Sequence, residues 1–278
     1  MANEKQFTYW NEVAGPKWVK IGDEMDSRFA AITDLLVTRA NVKQGEHVLD
    51  IGCGMGPTTF RFADKAGPDG HVTGIDISTP MLNVARERGA GIPHLDFLLA
   101  DAQTFKFGAA KFDVLASRFG VMFFGDPVAA FTNLRAALVP GGRVCFVCWA
   151  TLDENPHWNI PFQLVAQRLG YPEERPARAP GPMAFADAGY VAEILVMAGY
   201  SDIAVTPTPV PIIGKNLTEE AQIACLLGPS GALTDEKQAD EATRQILREE
   251  IGTALAQFDG PHGIRLPATV YVVTATNR

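Results

Sequence analysis

Asp50, Gly52, Gly54 and Gly56 stand at fixed spacing in Val48-Leu49-Asp50-Ile51-Gly52-Cys53-Gly54-Met55-Gly56-Pro57. Glycines two apart free the backbone to take positive φ and to come close to a ligand. The apolar Val48-Leu49 reads as a short buried strand. Pro57 suits the first turn of a following helix, where its missing N–H would be unpaired anyway. Strand, glycine loop and helix together form a cradle for a nucleotide; an ordinary strand-to-helix turn is the plain alternative. The spacing is not that of a dinucleotide-binding G-x-G-x-x-G loop, because position 57 is Pro. Nor is it a P-loop, because no Gly-Lys-Ser/Thr follows.

A second carboxylate, Asp76, closes the strand-like His71-Val72-Thr73-Gly74-Ile75-Asp76, 20 residues beyond Gly56. In a nucleotide-binding βαβ unit an acid there accepts hydrogen bonds from ribose hydroxyls. A third, Asp101, follows the strand-like Leu95-Asp96-Phe97-Leu98-Leu99, although Asp also favours turns. A fourth strand, Phe112 to Ala116, runs into Ser117-Arg118-Phe119. Ligands of open parallel sheets bind at the carboxyl ends of the strands, which places Ser117, Arg118 and Phe119 beside the ligand. Arg118 either binds a carboxylate or fixes the loop, since a buried arginine without a partner is rare.

These motifs resemble those of class I S-adenosylmethionine (SAM) methyltransferases. The first is Asp-x-Gly-x-Gly-x-Gly, the second Gly74-Ile75-Asp76-Ile77-Ser78. A third point of likeness is the turn Leu138-Val139-Pro140-Gly141-Gly142 before a fifth strand. The arrangement is similar to that of the ubiquinone/menaquinone-biosynthesis branch. The resemblance covers 42–150 strongly and 187–278 weakly. It implies a doubly wound, seven-stranded Rossmann-like α/β sheet. Strands 1–6 would be parallel, with strand 7 antiparallel between five and six. It implies SAM as cofactor, S-adenosylhomocysteine as product, and no metal. Asp50, Gly52, Gly54, Gly56, Asp76, Ile77 and Ser117 would belong to the donor site. Met81 would lie against adenine, Asp101 would accept from its amino group, and the Ala102 N–H would meet the ring. The implied reaction is methyl transfer to an O, C or N atom of a small-molecule acceptor by in-line displacement. A non-catalytic SAM- or nucleotide-binding regulator on the same fold is the alternative.

A carbon-acid or hydroxyl acceptor needs a base, for which His is the commonest choice. His47 and His71 begin strands and His94 precedes one, all at the wrong edge; His157 and His262 fall on loops at the productive edge and are the base candidates. Residues 7–40 read as helical, so Tyr9, Trp10 and Trp18 either touch the ligand or pack in the core. An antiparallel last strand starts at the carboxyl edge where strand six ends. This brings the 209–265 insertion, with Arg265, to the crevice as a lid. The expected organisation is one methyltransferase domain over 1–278. It has a helical cap (1–41), a donor-binding half (42–150) and a substrate-side half (151–278) with insertions 151–186 and 209–265.

Composition narrows the class further. A net charge of −8 without a basic cluster argues against nucleic acid or an anionic membrane as partner. No apolar run has membrane-spanning length, and the first residues lack a signal-peptide core. The expectation is a cytoplasmic protein, with homodimerisation open. Cys145-Phe146-Val147-Cys148 has metal-site spacing, but positions three apart on a strand face opposite sides. Asn155-Pro156-His157-Trp158 echoes the Asn-Pro-Pro-Tyr motif of amino-directed DNA methyltransferases, yet follows strand five rather than four.

Overall fold

The computed structural model describes residues 3–174, 176, 178–261 and 263–278. The chain opens with α1 (Glu4–Thr8), a π-helical segment (Tyr9–Val13), α2 (Ala14–Lys20), α3 (Gly22–Arg28) and α4 (Ala30–Ala40). The expected helical lead-in is therefore broken into short pieces. Ile21 and Phe29, at φ −124° and −99°, separate α2, α3 and α4. There follow β1 (His47–Ile51), α5 (Pro57–Ala66), β2 (His71–Asp76), α6 (Thr79–Arg88), β3 (Leu95–Leu99), β4 (Phe112–Arg118), α7 (Pro127–Ala137) and β5 (Leu138–Trp149). Next come α8 (Pro156–Leu169), α9 (Ala188–Met197), β6 (Ser201–Gly214), α10 (Leu217–Leu226), α11 (Gly228–Glu236), α12 (Glu241–Leu255), β7 (Asp259–Gly260) and β8 (Gly263–Thr276). No helix among the described residues is long and apolar enough to cross a membrane.

The strands lie in the order β3-β2-β1-β4-β5-β8-β6, with β7 paired only to β8. β1 to β5 are mutually parallel, and β8 runs antiparallel to both neighbours, so β6 is parallel to β5. The strand count is eight rather than seven because Asp259 and Gly260 form a two-residue strand against Gly263 and Ile264. The sheet's two halves wind in opposite directions from the β1–β4 junction, which is where such folds bind ligands.

The central strands carry continuous apolar runs, as strands covered on both faces must. Val48, Leu49, Val114, Leu115, Val147 and Cys148 are fully buried. α5 buries Thr58, Thr59, Phe62, Ala63 and Ala66 against the sheet, with Arg61 and Lys65 on its outer face. Cys145 and Cys148 are buried thiols, and burial raises both well above the usual range.

β6 and β8 pair from Ser201 with Thr276 to Gly214 with Ile264, whereas β5 and β8 part beyond Trp149 and Val270. The last two long strands thus continue past the sheet as a ribbon, and the helical insertion starts after Gly214, not at 209. α10, α11 and α12 pack on one another and on α8. On β6, the outer strand, Pro207, Pro209 and Pro211 share one parity. Their missing N–H groups blunt an exposed edge without costing the ladder to β8.

Candidate active site

At the carboxyl edge of the sheet lies a cavity of about 1190 Å³. Its floor is the glycine loop. Gly52, Gly54 and Gly56 take φ of 65°, 56° and 87°, a region costly for any side chain. The Gly52 N–H donates to the Ile75 carbonyl at 2.8 Å, and the Gly54 N–H donates to Asp76 Oδ2 at 2.8 Å. Gly52 and Gly54 line the cavity; Gly56 caps α5 behind them. A Cβ on Gly52 would come within 2.6 Å of Gly120 Cα, so the loops after β1 and β4 meet backbone to backbone. Gly120 gave no signal in the sequence, since only the neighbouring strand explains it.

Asp50 sits beneath the loop, fully buried and away from the cavity wall. Its Oδ2 accepts the Thr58 and Thr59 hydroxyls at 2.6 and 2.7 Å. It ties β1 to the first turn of α5 rather than facing a ligand. Burial pushes its carboxyl up to about 6, against the pull of the two hydroxyls. Ser117 is likewise buried: its Oγ donates to the Ile51 carbonyl at 2.7 Å and accepts the Gly120 N–H.

Asp76, Ile77, Met81, Asp101 and Ala102 all line the cavity. Asp76 is held by the N–H groups of Gly54 and Ser78, each at 2.8 Å, with lone pairs left for a ligand. Burial nevertheless raises its pKa. Asp101 accepts from Asn3 Nδ2 through both oxygens, at 3.1 and 3.2 Å. The N-terminal helices close over this edge. Asn11 donates to the Ile77 carbonyl and accepts the Thr79 N–H, and Ser78 Oγ donates to the Trp10 carbonyl. Tyr9, Trp10 and Trp18 line the cavity, with Trp10 edge-on to Phe123 at 5.0 Å.

Above the loop the walls are aromatic. Phe119 takes φ 70°, strained for a non-glycine residue, and stacks on Trp149 at 4.2 Å and 9°. Phe29 and Trp158 flank that pair, with ring centroids 5.8 and 4.6 Å from Trp149. Arg118 donates to Thr33 Oγ1 at 2.7 Å and lies 3.8 Å from Asp26, so it tethers α3 and α4 to the β4 loop. His157 is 2% exposed and lines the cavity, and neither ring nitrogen has a hydrogen-bond partner. Burial, then the Arg28 charge, hold its pKa well below the ordinary value; the Pro267 carbonyl opposes this without reaching hydrogen-bond geometry. Both effects favour the neutral ring. Asn155 does not face a ligand: it is buried, donating to the carbonyls of Thr151 and Thr269 and accepting the Thr269 N–H. Arg265 is exposed on β8 and outside the cavity lining, and His262 lies outside the described residues.

Residues 48–142 match the family described as Methyltransferase domain. Over that segment, about a third of the chain, the sequence is similar to a methyltransferase domain. Over 145 residues the chain is 34% identical to aklanonic acid methyltransferase DauC of Streptomyces sp. (strain C5), a match covering 51% of this chain and 64% of that one. It is also 34% identical to phosphoethanolamine N-methyltransferase 1 of Arabidopsis thaliana over 140 residues, 50% of this chain and 28% of that one. The matched segment thus covers less than two thirds of either relative. The fold of the chain is similar to that of Haemonchus contortus phosphoethanolamine N-methyltransferase 2, solved with phosphomonomethylethanolamine and S-adenosylhomocysteine. That likeness has a TM-score of 0.53 and 22% identity, and covers 88% of this chain and 52% of that one.

The residues of the cavity fit SAM. The loop offers backbone at positive φ where a Cβ on Gly54 would strike Met81 Cε at 2.8 Å. Asp76 and Asp101, at the ends of successive strands, supply two carboxylates to the same cavity, able to accept from hydroxyl and amino donors.

Proposed function

We propose that this protein is a SAM-dependent methyltransferase acting on a small-molecule acceptor enclosed in the cavity. The observation that carries the reading is one continuous cavity joining the glycine loop and Asp76 to the aromatic chamber of Phe119, Trp149 and His157. At about 1190 Å³ it exceeds the roughly 300–1,000 Å³ usual for one ligand. It therefore has space beside a donor for an acceptor, which a purely regulatory SAM binder would not need.

A bound donor supplies an electrophilic methyl group on a sulfonium sulfur, which departs as a neutral thioether. The chain's part is positioning, which can supply on the order of 7–11 kcal/mol in well-oriented systems. Asp76 orients the ribose, and Asp101 with Ala102 orients the adenine. Gly52 and Gly54 admit the amino-acid end, while Phe119 and Trp149 fix the plane in which the acceptor approaches. His157, neutral and unpartnered, is the group available to take an acceptor proton. Residues of α2, α8, α10 and α11, with Pro172, Pro176 and 179–184, line the same cavity and screen it from water.

Calorimetric titration with S-adenosylhomocysteine and with NADH tests the donor assignment. Binding of the first and not the second is expected; the reverse overturns it. Incubation with labelled SAM and a host metabolite extract, read by mass spectrometry, then identifies the product.

A further inference from the structure

Three polar side chains converge in the aromatic half of the cavity, each from a different element. Arg28 on α3, Glu220 on α10 and His157 on α8 are 6%, 2% and 2% exposed, and all line the cavity. Arg28 Nη1 donates to Glu220 Oε2 in a buried ion pair. Glu220 is fitted to its place: a Cβ on Gly214, at the end of β6, would lie 2.7 Å from its Oε1. Two charges taken out of water give little net stability compared with apolar packing. The pair is thus poorly explained as a staple. Its effect on the cavity is clearer. Beside an orphaned imidazole it places one positive and one negative group, which together sum to zero charge.

Resting on the methyltransferase reading, we infer that the Arg28–Glu220 pair and His157 form a specificity site for an uncharged, planar acceptor bearing a hydroxyl group. The logic is one of exclusion. An anionic acceptor would meet Glu220 and a cationic one would meet Arg28, and neither charge can be matched without breaking the pair. A neutral imidazole offers one donor and one acceptor. A hydroxyl answers either, whereas an ether answers only the N–H and a hydrocarbon leaves both nitrogens bare. The walls set the shape. Phe119 and Trp149 lie parallel at 4.2 Å, and Trp158 and Phe29 add ring faces and edges, the surroundings that favour a flat aromatic or enolic molecule.

The test is a binding panel on the full-length protein saturated with S-adenosylhomocysteine, read by tryptophan fluorescence. The probes are 2-naphthol, naphthalene, 2-naphthoate and 2-naphthylmethylammonium. Expected is 2-naphthol first, tighter than naphthalene by about 5- to 10-fold, the worth of one buried hydrogen bond, with both ions weakest. His157→Phe should bring 2-naphthol level with naphthalene. Glu220→Gln keeps an acceptor for Arg28, so the fold is retained, and the exposed positive charge should move 2-naphthoate to the top. An ion binding best to the wild type, 2-naphthol no better than naphthalene, no probe binding, or both variants keeping the wild-type order would each overturn the inference. The titration with S-adenosylhomocysteine separates the two readings. If it binds and the panel fails, only the acceptor class is wrong; if it does not bind, the donor site itself is wrong.

Discussion

Replacing Asp76 with Asn separates a residue's structural role from its role in binding. The carboxylate accepts the N–H groups of Gly54 and Ser78, both at 2.8 Å. Asn must turn its NH₂ toward one of them, losing one hydrogen bond at a net cost of about 1 kcal/mol. Against that, burial raises the Asp76 pKa despite those two donors, so the ionised form is disfavoured in the folded protein, and the neutral amide relieves this. The two effects oppose, and stability should stay within about 1 kcal/mol of wild type. Binding has no such offset. A ribose hydroxyl donating to a charged acceptor contributes about 1.5–3 kcal/mol, and the affinity for S-adenosylhomocysteine should fall by about 10- to 150-fold. Calorimetry at neutral pH gives the affinity, and thermal unfolding gives the stability. A pH series adds a sign. Because its pKa is raised, Asp76 becomes protonated earlier as pH falls, so wild-type affinity should drop on acidification while the Asn variant's changes less. An intact variant with affinity within about threefold of wild type would refute the ribose assignment, since no charged hydrogen bond that weak is consistent with it.

Three further outcomes follow from the same geometry. Asp50, pushed from 3.8 to about 6, disfavours the fold as it ionises. Its contribution is present below its unfolded pKa and lost as pH rises to about 6, so Asp50→Asn should flatten that interval in urea unfolding, its gain of about 3 kcal/mol at neutral pH offset by about 1–3 kcal/mol because the amide NH₂ replaces the partnerless Oδ1. Gly120→Ala places a Cβ 2.6 Å from the Ile51 carbonyl oxygen and 2.7 Å from Gly52 Cα. Backbone cannot swing aside, so a loss of about 1–3 kcal/mol together with weakened S-adenosylhomocysteine binding is expected; wild-type values in both would show that the two loops move apart freely. Arg28→Met leaves Glu220 buried and unpaired, a cost of about 3–5 kcal/mol, most of which Arg28→Met/Glu220→Met should restore; equal single and double losses would mean the pair is not coupled.

The amino-acid sequence determined the glycine-loop half of the cavity. Gly52, Gly54, Asp76 and Asp101 are set by local rules, positive φ at glycine and a polar residue at a strand end, which hold whatever surrounds them. The alternation of strands and helices likewise determined the parallel sheet, and the antiparallel last strand followed from the family resemblance. The same local reasoning makes Asp50 and Ser117 donor residues, but the structure buries both beneath the loop, because spacing does not tell which face of a loop a side chain takes. In the aromatic half of the cavity His157 follows from its place after strand five, but its company was decided by tertiary structure alone. Arg28, His157 and Glu220 are 192 residues apart from first to last and share a cavity only because the β6–β8 ribbon carries α10 back over the N-terminal helices. Gly120 and Gly214 are required by neighbours distant in the chain, so no local pattern marks them. Arg265, placed by edge topology near the crevice, stands exposed on the far side of a ribbon whose length the hydrophobic pattern did not show.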